Sequence, residues 1–442
     1  MNSNTRELKL IMKYYGLLIS NLLLLYKINR ISERKKIKME NELKLGEEKF
    51  NITLKTFYGL EEVLKEELVE LGYTEVKVLN RAVQIVGTWK DVYFLNLHSR
   101  CAISVLAEVA KFSIKHEDDL YKKCMKIDWT QFFDINKTFA VKGAIFSDFF
   151  NHSQFPFLLV KDAIVDTFRN KLGIRPDVHV KVPQVLFDVY INDQNVTISL
   201  NSSGVPLFQR GYRQSTGEAP LNEVVAASLV RMSGWDRKSA FVDPFCGSGT
   251  ILIEAAMLAA GIPSSIERQH YAFKNFANYD AKLWEEIYEA ANKRCQSLPC
   301  KIVGSDIDPD MVMKTRRNLK GIAVGRFIET EIKSFDEVKR PEDTGVMVTN
   351  PPYGERMGDN IEEMYTALGD WMKAEMKGYT CWVISASEEG LKSIGLRPER
   401  RIKMYNGDLE CSFRKFSIYE GSKKAKNNNY DAIESVIEDE EE

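Results

Sequence analysis

The chain has 442 residues, of which 44% are apolar and 28% charged, with a formal net charge of −2. That suits a soluble protein of two or three domains, each with its own core. The acids gather after residue 428 and many of the bases before residue 39, so the body is near neutral and a nucleic-acid surface would have to be a local patch. Seven scattered cysteines without a Cys-x-x-Cys pair point to a reducing cytoplasm, with free thiols and no zinc.

Residues 1–40 look foreign to the rest. Tyr14–Tyr26 is apolar apart from Ser20 and Asn21, and basic residues flank it. It is shorter than the roughly twenty residues needed to span a bilayer, and no small-residue cleavage site follows. We read it as translated sequence ahead of a start at Met39. An interfacial basic helix and a disordered arm are the other readings.

From Phe50 the pattern turns regular. A strand over Phe50–Thr56 leads to a helix at Glu61–Leu71, closed by Gly72. Strands follow at Val76–Leu79 and Ala82–Val86, then a helix at Trp89–Leu97 and a strand at Ile103–Phe112, which makes a ferredoxin-like α+β unit over 48–115. Asp118–Met125 is a helix and Thr138–Ala144 a strand. A helix over Phe155–Leu172 is stopped by Gly173, and strands are expected at Val178–Val182, Leu186–Ile191 and Asn195–Asn201. This order over 116–205 resembles a THUMP domain, which implies RNA binding.

The catalytic half is expected over 206–420. Phe208-Gln209-Arg210-Gly211-Tyr212-Arg213 and an alanine-rich helix to Met232 precede a strand at Ala240–Val242. The strand ends at Asp243-Pro244-Phe245-Cys246 and turns through Gly247-Ser248-Gly249 into an apolar helix from Thr250. Small residues at such a turn let the backbone approach a cofactor, and the helix N-terminus offers unpaired N–H groups. No Gly-Lys-Ser/Thr is present, and the third glycine of the dinucleotide fingerprint is missing. A nucleoside carrying an amino acid, such as S-adenosylmethionine (SAM), fits what remains. Cys246 reads as packing rather than as a nucleophile.

Apolar strands then alternate with helices, as an open parallel sheet requires. The strands are Ile302–Gly304, Arg326–Ile332, Val346–Thr349 and Thr380–Ser385; the helices include Trp284–Cys295, Pro309–Leu319 and Ile361–Lys377. A terminal hairpin pairs Arg401–Asn406 with Cys411–Tyr419. Gly261–Pro299 reads as an insertion, with Tyr271-Ala272-Phe273 as packing or a family aromatic patch. Ligands of such sheets lie beyond the carboxyl ends of the strands. Asp243, Pro244, Gly247, Ser248, Gly249 and Thr250 would therefore hold the methionine moiety. Asp306 would accept the ribose hydroxyls, while Asp308 reads as the N-cap of the next helix. After the third strand, Ser334 stands where an acid would meet the adenine amino group, with Asp336 two residues on.

Val346–Tyr353 is a buried strand ending in Asn350-Pro351-Pro352-Tyr353. The lone pair of an exocyclic base amine is delocalised, so the nitrogen is a poor nucleophile. The Asn350 oxygen and the Pro351 carbonyl can accept its two N–H bonds and orient it. Pro351 and Pro352 stiffen the turn, and Tyr353 can stack on a flipped base.

The glycine turn followed by Asn-Pro-Pro-Tyr-Gly-Glu-Arg (350–356) resembles bacterial THUMP-containing, SAM-dependent RNA methyltransferases, nearest the 23S rRNA guanine-N2 group. The resemblance spans about 48–420. It implies a class I methyltransferase fold, Rossmann-like, with a seven-stranded mostly parallel sheet, preceded by the ferredoxin-like/THUMP region. It also implies SAM as cofactor, rRNA as partner and a cytoplasmic location without metal or membrane. Some relatives are fused to a second methyltransferase; this chain carries one catalytic domain, so only the guanine-N2 activity is expected. A tRNA guanine-N2 enzyme is the alternative, and an adenine-N6 enzyme shares the motif. The polar tail over 421–442 reads as disordered.

Overall fold

The computed structural model describes residues 48–419, apart from 151, 153, 216–219, 294–296, 354–359 and 408. The expectations for 1–40, Glu355, Arg356 and the 421–442 tail lie outside the described residues.

The described residues form two seven-stranded sheets. The first is built from β1 (Phe50–Lys55), α1 (Glu61–Glu70), β2 (Lys77–Leu79), β3 (Ala82–Gly87), α2 (Trp89–His98), β4 (Ser104–Ser113), α3 (Glu117–Cys124), β5 (Phe139–Phe146), α4 (Phe155–Leu172), β6 (Val185–Asn192) and β7 (Asn195–Asn201). Local chemistry sets these elements. Ile52 and Leu54 alternate into the core from β1. A reciprocal Thr88–Asp91 cap starts α2, and Gly173, left-handed at φ +73, ends α4.

The strand order is β2-β3-β1-β4-β7-β6-β5. Antiparallel pairing of β4 with β7, from Leu106↔Asn201 to Ser113↔Asn195, makes the ferredoxin-like and THUMP strands one continuous sheet. The strand expected at Val178–Val182 does not form. A single bridge, Val178 to Phe139, is all that pairs there. Val178, Val180 and Val182 alternate with polar residues as a strand would, yet all three are exposed, between Pro176 and Pro183.

The second sheet follows α5 (Glu223–Met232). It contains β8 (Ala240–Asp243), α6 (Thr250–Ala259), α7 (Ala281–Lys293), β9 (Ile302–Asp306), α8 (Pro309–Leu319), β10 (Glu329–Ile332), β11 (Gly345–Thr349), α9 (Ile361–Glu375), β12 (Tyr379–Ser385), α10 (Glu388–Ser393), β13 (Arg400–Asn406) and β14 (Leu409–Ser417). Strands β10-β9-β8-β11-β12 are parallel, and β14 then β13 add antiparallel at the far edge. The third of these strands starts at Glu329 rather than Arg326, because Gly325–Phe327 winds into a 3₁₀ turn. The helix expected from Trp284 begins at Ala281.

The 261–299 insertion binds the halves together. Ser265 N–H donates to the Leu97 carbonyl (3.1 Å), and Phe273 N–H to the Ser202 carbonyl (2.9 Å). Phe273 lies 4.6 Å from the Tyr93 ring and is fully buried, as packing requires. Beneath it, Glu254 of α6 accepts from Arg210 Nε (3.3 Å) and Tyr212 OH (3.1 Å), and Arg100 of the first half lies at 3.9 Å. All of these groups are buried, so removing one partner would strand a charge in the core.

Candidate active site

The order of the parallel strands in the second sheet reverses at β8, with β9 on one side and β11 on the other. A crevice opens at such a switch point beyond the strand ends. Asp243 ends β8, Asp306 ends β9 and Thr349 ends β11, so the candidate residues from three sequence regions meet there.

The loop after β8 is pinned on every side. Gly247 and Gly249 are left-handed, at φ +54 and +84, and Gly249 caps α6. A Cβ at Gly249 would stand 2.8 Å from Thr315 Cγ2 of α8, so a side chain there is excluded on two counts. Thr315 Oγ1 donates to the Gly247 carbonyl (2.6 Å), and Asn318 Nδ2 to the Ser248 carbonyl (2.9 Å). Arg213 reaches in from the junction before α5, 3.4 Å from Ser248 Oγ and 3.0 Å from Thr250 Oγ1, with Glu223 pairing it at 2.6 Å. Pro244 is buried, its carbonyl 3.4 Å from Ser305 Oγ.

Asp306 Oδ2 accepts the Gly247 N–H (2.9 Å), and Oδ1 accepts the Asp308 N–H (3.0 Å). Each carboxylate oxygen keeps a lone pair, so two hydroxyls can still be accepted. Burial, with Asp308 nearby, raises its pKa despite those backbone donors. Asp308 caps α8 through the Asp310 N–H (2.8 Å). Beside the β9 and β10 ends lies an open cleft of about 380 Å³, lined by Ile307, Ile332, Lys333, Ser334, Asp336 and Glu337. Ser334 is in that wall, in a reciprocal cap with Glu337, so its placement also has a purely local cause. Phe335 turns the other way and stacks on Phe245 at 5.1 Å.

Asp243 is 1% exposed. Burial pushes its pKa up to about 7, against hydrogen bonds from Thr349 Oγ1 (2.7 Å) and the Phe245 N–H (3.2 Å) that favour the charged form. The Thr349 bond crosses the switch point and joins the glycine loop to the residue before Asn350. Asn350 Oδ1 is buried and, among the described residues, accepts no hydrogen bond. Leaving such an acceptor unpaired costs about 1–3 kcal/mol. Pro351 is buried and Pro352 partly so, its carbonyl 3.5 Å from the Tyr365 hydroxyl, which lies 2.7 Å from Ser385 Oγ. Tyr353 is half-buried and hydrogen-bonded to the Cys411 thiol of β14.

Cys246 is buried with its thiol 3.9 Å from Thr315 Oγ1; burial, then the charges of Asp243 and Asp306, push its pKa well up. That is the opposite of an activated thiolate. Arg213 comes from the Phe208–Arg213 junction singled out in the sequence; the site residues that sequence reasoning missed are Thr315, Asn318 and Thr349. Thr315 and Asn318 sit three apart on one face of α8, and Thr349 is the only hydroxyl in an otherwise apolar strand. Those spacings were the available signal. Among the described residues no His/Cys/Asp/Glu cluster could hold a metal, and no helix is long and apolar enough to cross a membrane.

The glycine turn, the pinned loop and the two acids at the strand ends fit a nucleoside that carries an amino acid. Comparison with known proteins agrees. Residues 210–415 match the RMKL-like methyltransferase domain, 115–201 the THUMP domain and 51–106 the RlmL ferredoxin-like domain. The chain is 36% identical to "Ribosomal RNA large subunit methyltransferase K/L" of Shewanella frigidimarina over 84% of its own length and 53% of that protein's. The Shewanella baltica OS195 protein of the same name is 36% identical over 82% and 52%. The chain thus spans about half the length of these relatives. Among solved structures, SMU.472 complexed with SAH has a TM-score of 0.76 at 25% identity, covering 85% of this chain and all of that one. A Listeria monocytogenes protein described as a predicted N6-adenine-specific DNA methylase has the same TM-score and identity, over 87% of this chain and 100% of its own. The chain carries an RMKL-like methyltransferase domain behind a THUMP domain and a ferredoxin-like region, with S-adenosylmethionine as its cofactor.

Proposed function

We propose that this chain transfers a methyl group from SAM to the exocyclic N2 of a guanine in 23S rRNA. The observation that carries the reading is the buried Asn350 Oδ1 just beyond β11, which has no hydrogen-bond partner among the described residues. An acceptor kept empty at a switch point beside a SAM loop suits the N–H of an incoming amine, whose arrival removes the desolvation penalty. The names of the relatives, large-subunit rRNA methyltransferases, favour rRNA as the substrate class.

Bound SAM supplies an electrophilic methyl on its sulfonium. In this reading Asp243, Pro244, Gly247, Ser248, Gly249 and Thr250 hold the methionine end, Asp306 the ribose and Ser334 the adenine. Asn350 Oδ1 and the Pro351 carbonyl accept the two amine N–H bonds and turn the nitrogen lone pair toward the methyl. The same two acceptors stabilise positive charge as it grows on that nitrogen. Tyr353 provides a face for the flipped base. No strong general base is needed, because the amine proton becomes acidic only after transfer and can leave to water.

The test is transfer of labelled methyl from SAM to rRNA and tRNA of a strain lacking this gene, with nucleoside analysis of the product. N2-methylguanosine in 23S rRNA is the expected product. The same nucleoside in tRNA would move the substrate, and N6-methyladenosine would overturn the base assignment.

A further inference from the structure

The loops of the first half meet the terminal hairpin of the second at a groove of about 620 Å³, lined by Tyr58, Gly59, Glu61, Arg81, Lys403 and Tyr405. We propose that this groove is a track for single-stranded RNA and holds nucleotides flanking the base delivered to Asn350. The proposal rests on the RNA methylation inferred above.

Four observations carry it. The groove has two aromatic faces, Tyr58 and Tyr405, with ring centroids 6.0 Å apart and an edge-on tilt of 67°. Tyr58 is 53% exposed, a large ring left in water at a junction where packing could have covered it. Stacking on such rings holds any base, because every base has a π-face.

One cation of the groove is open to a phosphate. Glu61 is occupied by the Gly59 N–H (2.7 Å) and the Arg81 N–H (3.0 Å). Glu410 at the rim is occupied by Lys403 (2.7 Å) and the Tyr405 hydroxyl (3.2 Å). Both carboxylates are hydrogen-bonded and Lys403 balances Glu410, while the exposed guanidinium of Arg81 makes no ion pair among the described residues.

Arg81 also holds an unfavourable backbone. Its φ is +54, a left-handed conformation that glycine or asparagine adopts more cheaply. The turn is fixed there by the Glu61 contact and by the Thr56 N–H donating to the Arg81 carbonyl (2.9 Å). An arginine at such a position is explained by its side chain rather than by its backbone.

Finally, the groove and the Asn350 turn share the terminal hairpin. Tyr405 pairs with Glu410 across β13 and β14, and the next residue, Cys411, is the one bonded to Tyr353 of the Asn350 turn. Tyr405 and Cys411 point to opposite faces of the hairpin, so RNA lying on Tyr58 and Tyr405 would round the edge strand β13 to reach the catalytic turn.

The experiment uses the full chain and a fluorescein-labelled oligouridylate of about twelve nucleotides, within the usual span of single-strand sites. Anisotropy is read across a salt series, with S-adenosylhomocysteine affinity as a check on the fold. The double variant Tyr58→Ala/Tyr405→Ala should bind the RNA about 10- to 100-fold more weakly. Its Tyr→Phe counterpart should bind as the wild type does. Arg81→Gly should keep or raise the thermal midpoint, since glycine relieves the left-handed strain, yet bind RNA about threefold more weakly with a shallower salt dependence. A structural role for Arg81 would instead leave RNA affinity unchanged. Wild-type affinity in the double alanine variant overturns the proposal, as does a wild-type protein that ignores the oligonucleotide. Groove-dependent binding together with a product other than N2-methylguanosine would support the track and refute only the base assignment.

Discussion

The glycine loop and the Asn350 turn lie side by side beyond β8 and β11, yet they are built on opposite principles. In the loop, the Gly247 and Ser248 carbonyls, the Gly247 N–H and the Ser248 and Thr250 hydroxyls each meet a partner within the protein. In the turn, the central acceptor Asn350 Oδ1 meets none among the described residues. A cofactor that is bound in every turnover is served by a loop shaped in advance. A base that must leave its helix is served by a group whose satisfaction depends on its arrival. Thr349, bonded to Asp243, is where the two meet.

If the turn is a reserved acceptor, Asn350→Ala should lower the single-turnover rate about 100- to 1,000-fold, the loss typical of one preorganised polar group. An effect below tenfold in rapid-quench transfer would place the key acceptor elsewhere. The loop breaks differently. Gly249→Ala must put a Cβ into Thr315 in a left-handed conformation, which costs about 1–3 kcal/mol. Cofactor affinity by calorimetry should fall at least tenfold, and it should not recover at saturating RNA.

Asp243 sharpens the comparison through pH. Its folded pKa is raised from 3.8 to about 7, so the native state keeps a proton that the unfolded chain has released. That contribution to stability is complete below the unfolded value and is lost as pH rises toward and through about 7. Urea midpoints of the cofactor-free protein should drop between about pH 4 and 7, and Asp243→Asn, which has no proton to lose, should flatten the profile. An unchanged slope would mean that Asp243 is charged in the folded protein. The smallest effect belongs to Cys246→Ala. With the thiol buried and its pKa raised, transfer should stay within about twofold of wild type; complete loss would revive a covalent mechanism.

How far the sequence could be read depended on whether the information was local. The bounds of Pro309–Leu319 and Phe155–Leu172 were legible because Asp308, Pro309 and Gly173 are caps acting within one turn of helix. Asn350 was legible because its motif is contiguous. Val178–Val182 misled because alternation shows that a segment could pair, not that a partner strand is free. The β4–β7 pairing joins residues more than ninety positions apart in about half its pairs, and nothing local announces it. The same holds for Thr349 on Asp243 and for Arg213 on Thr250, contacts made by topology.

One titration tests the central contrast most directly: S-adenosylhomocysteine into Asn350→Ala, measured beside the wild type. The account predicts dissociation constants within about twofold, because the loop is held by Thr315, Asn318, Arg213 and Asp306 rather than by the turn. A tenfold or greater loss would contradict it, since Asn350 would then belong to the cofactor site and its empty acceptor would not be reserved for the base.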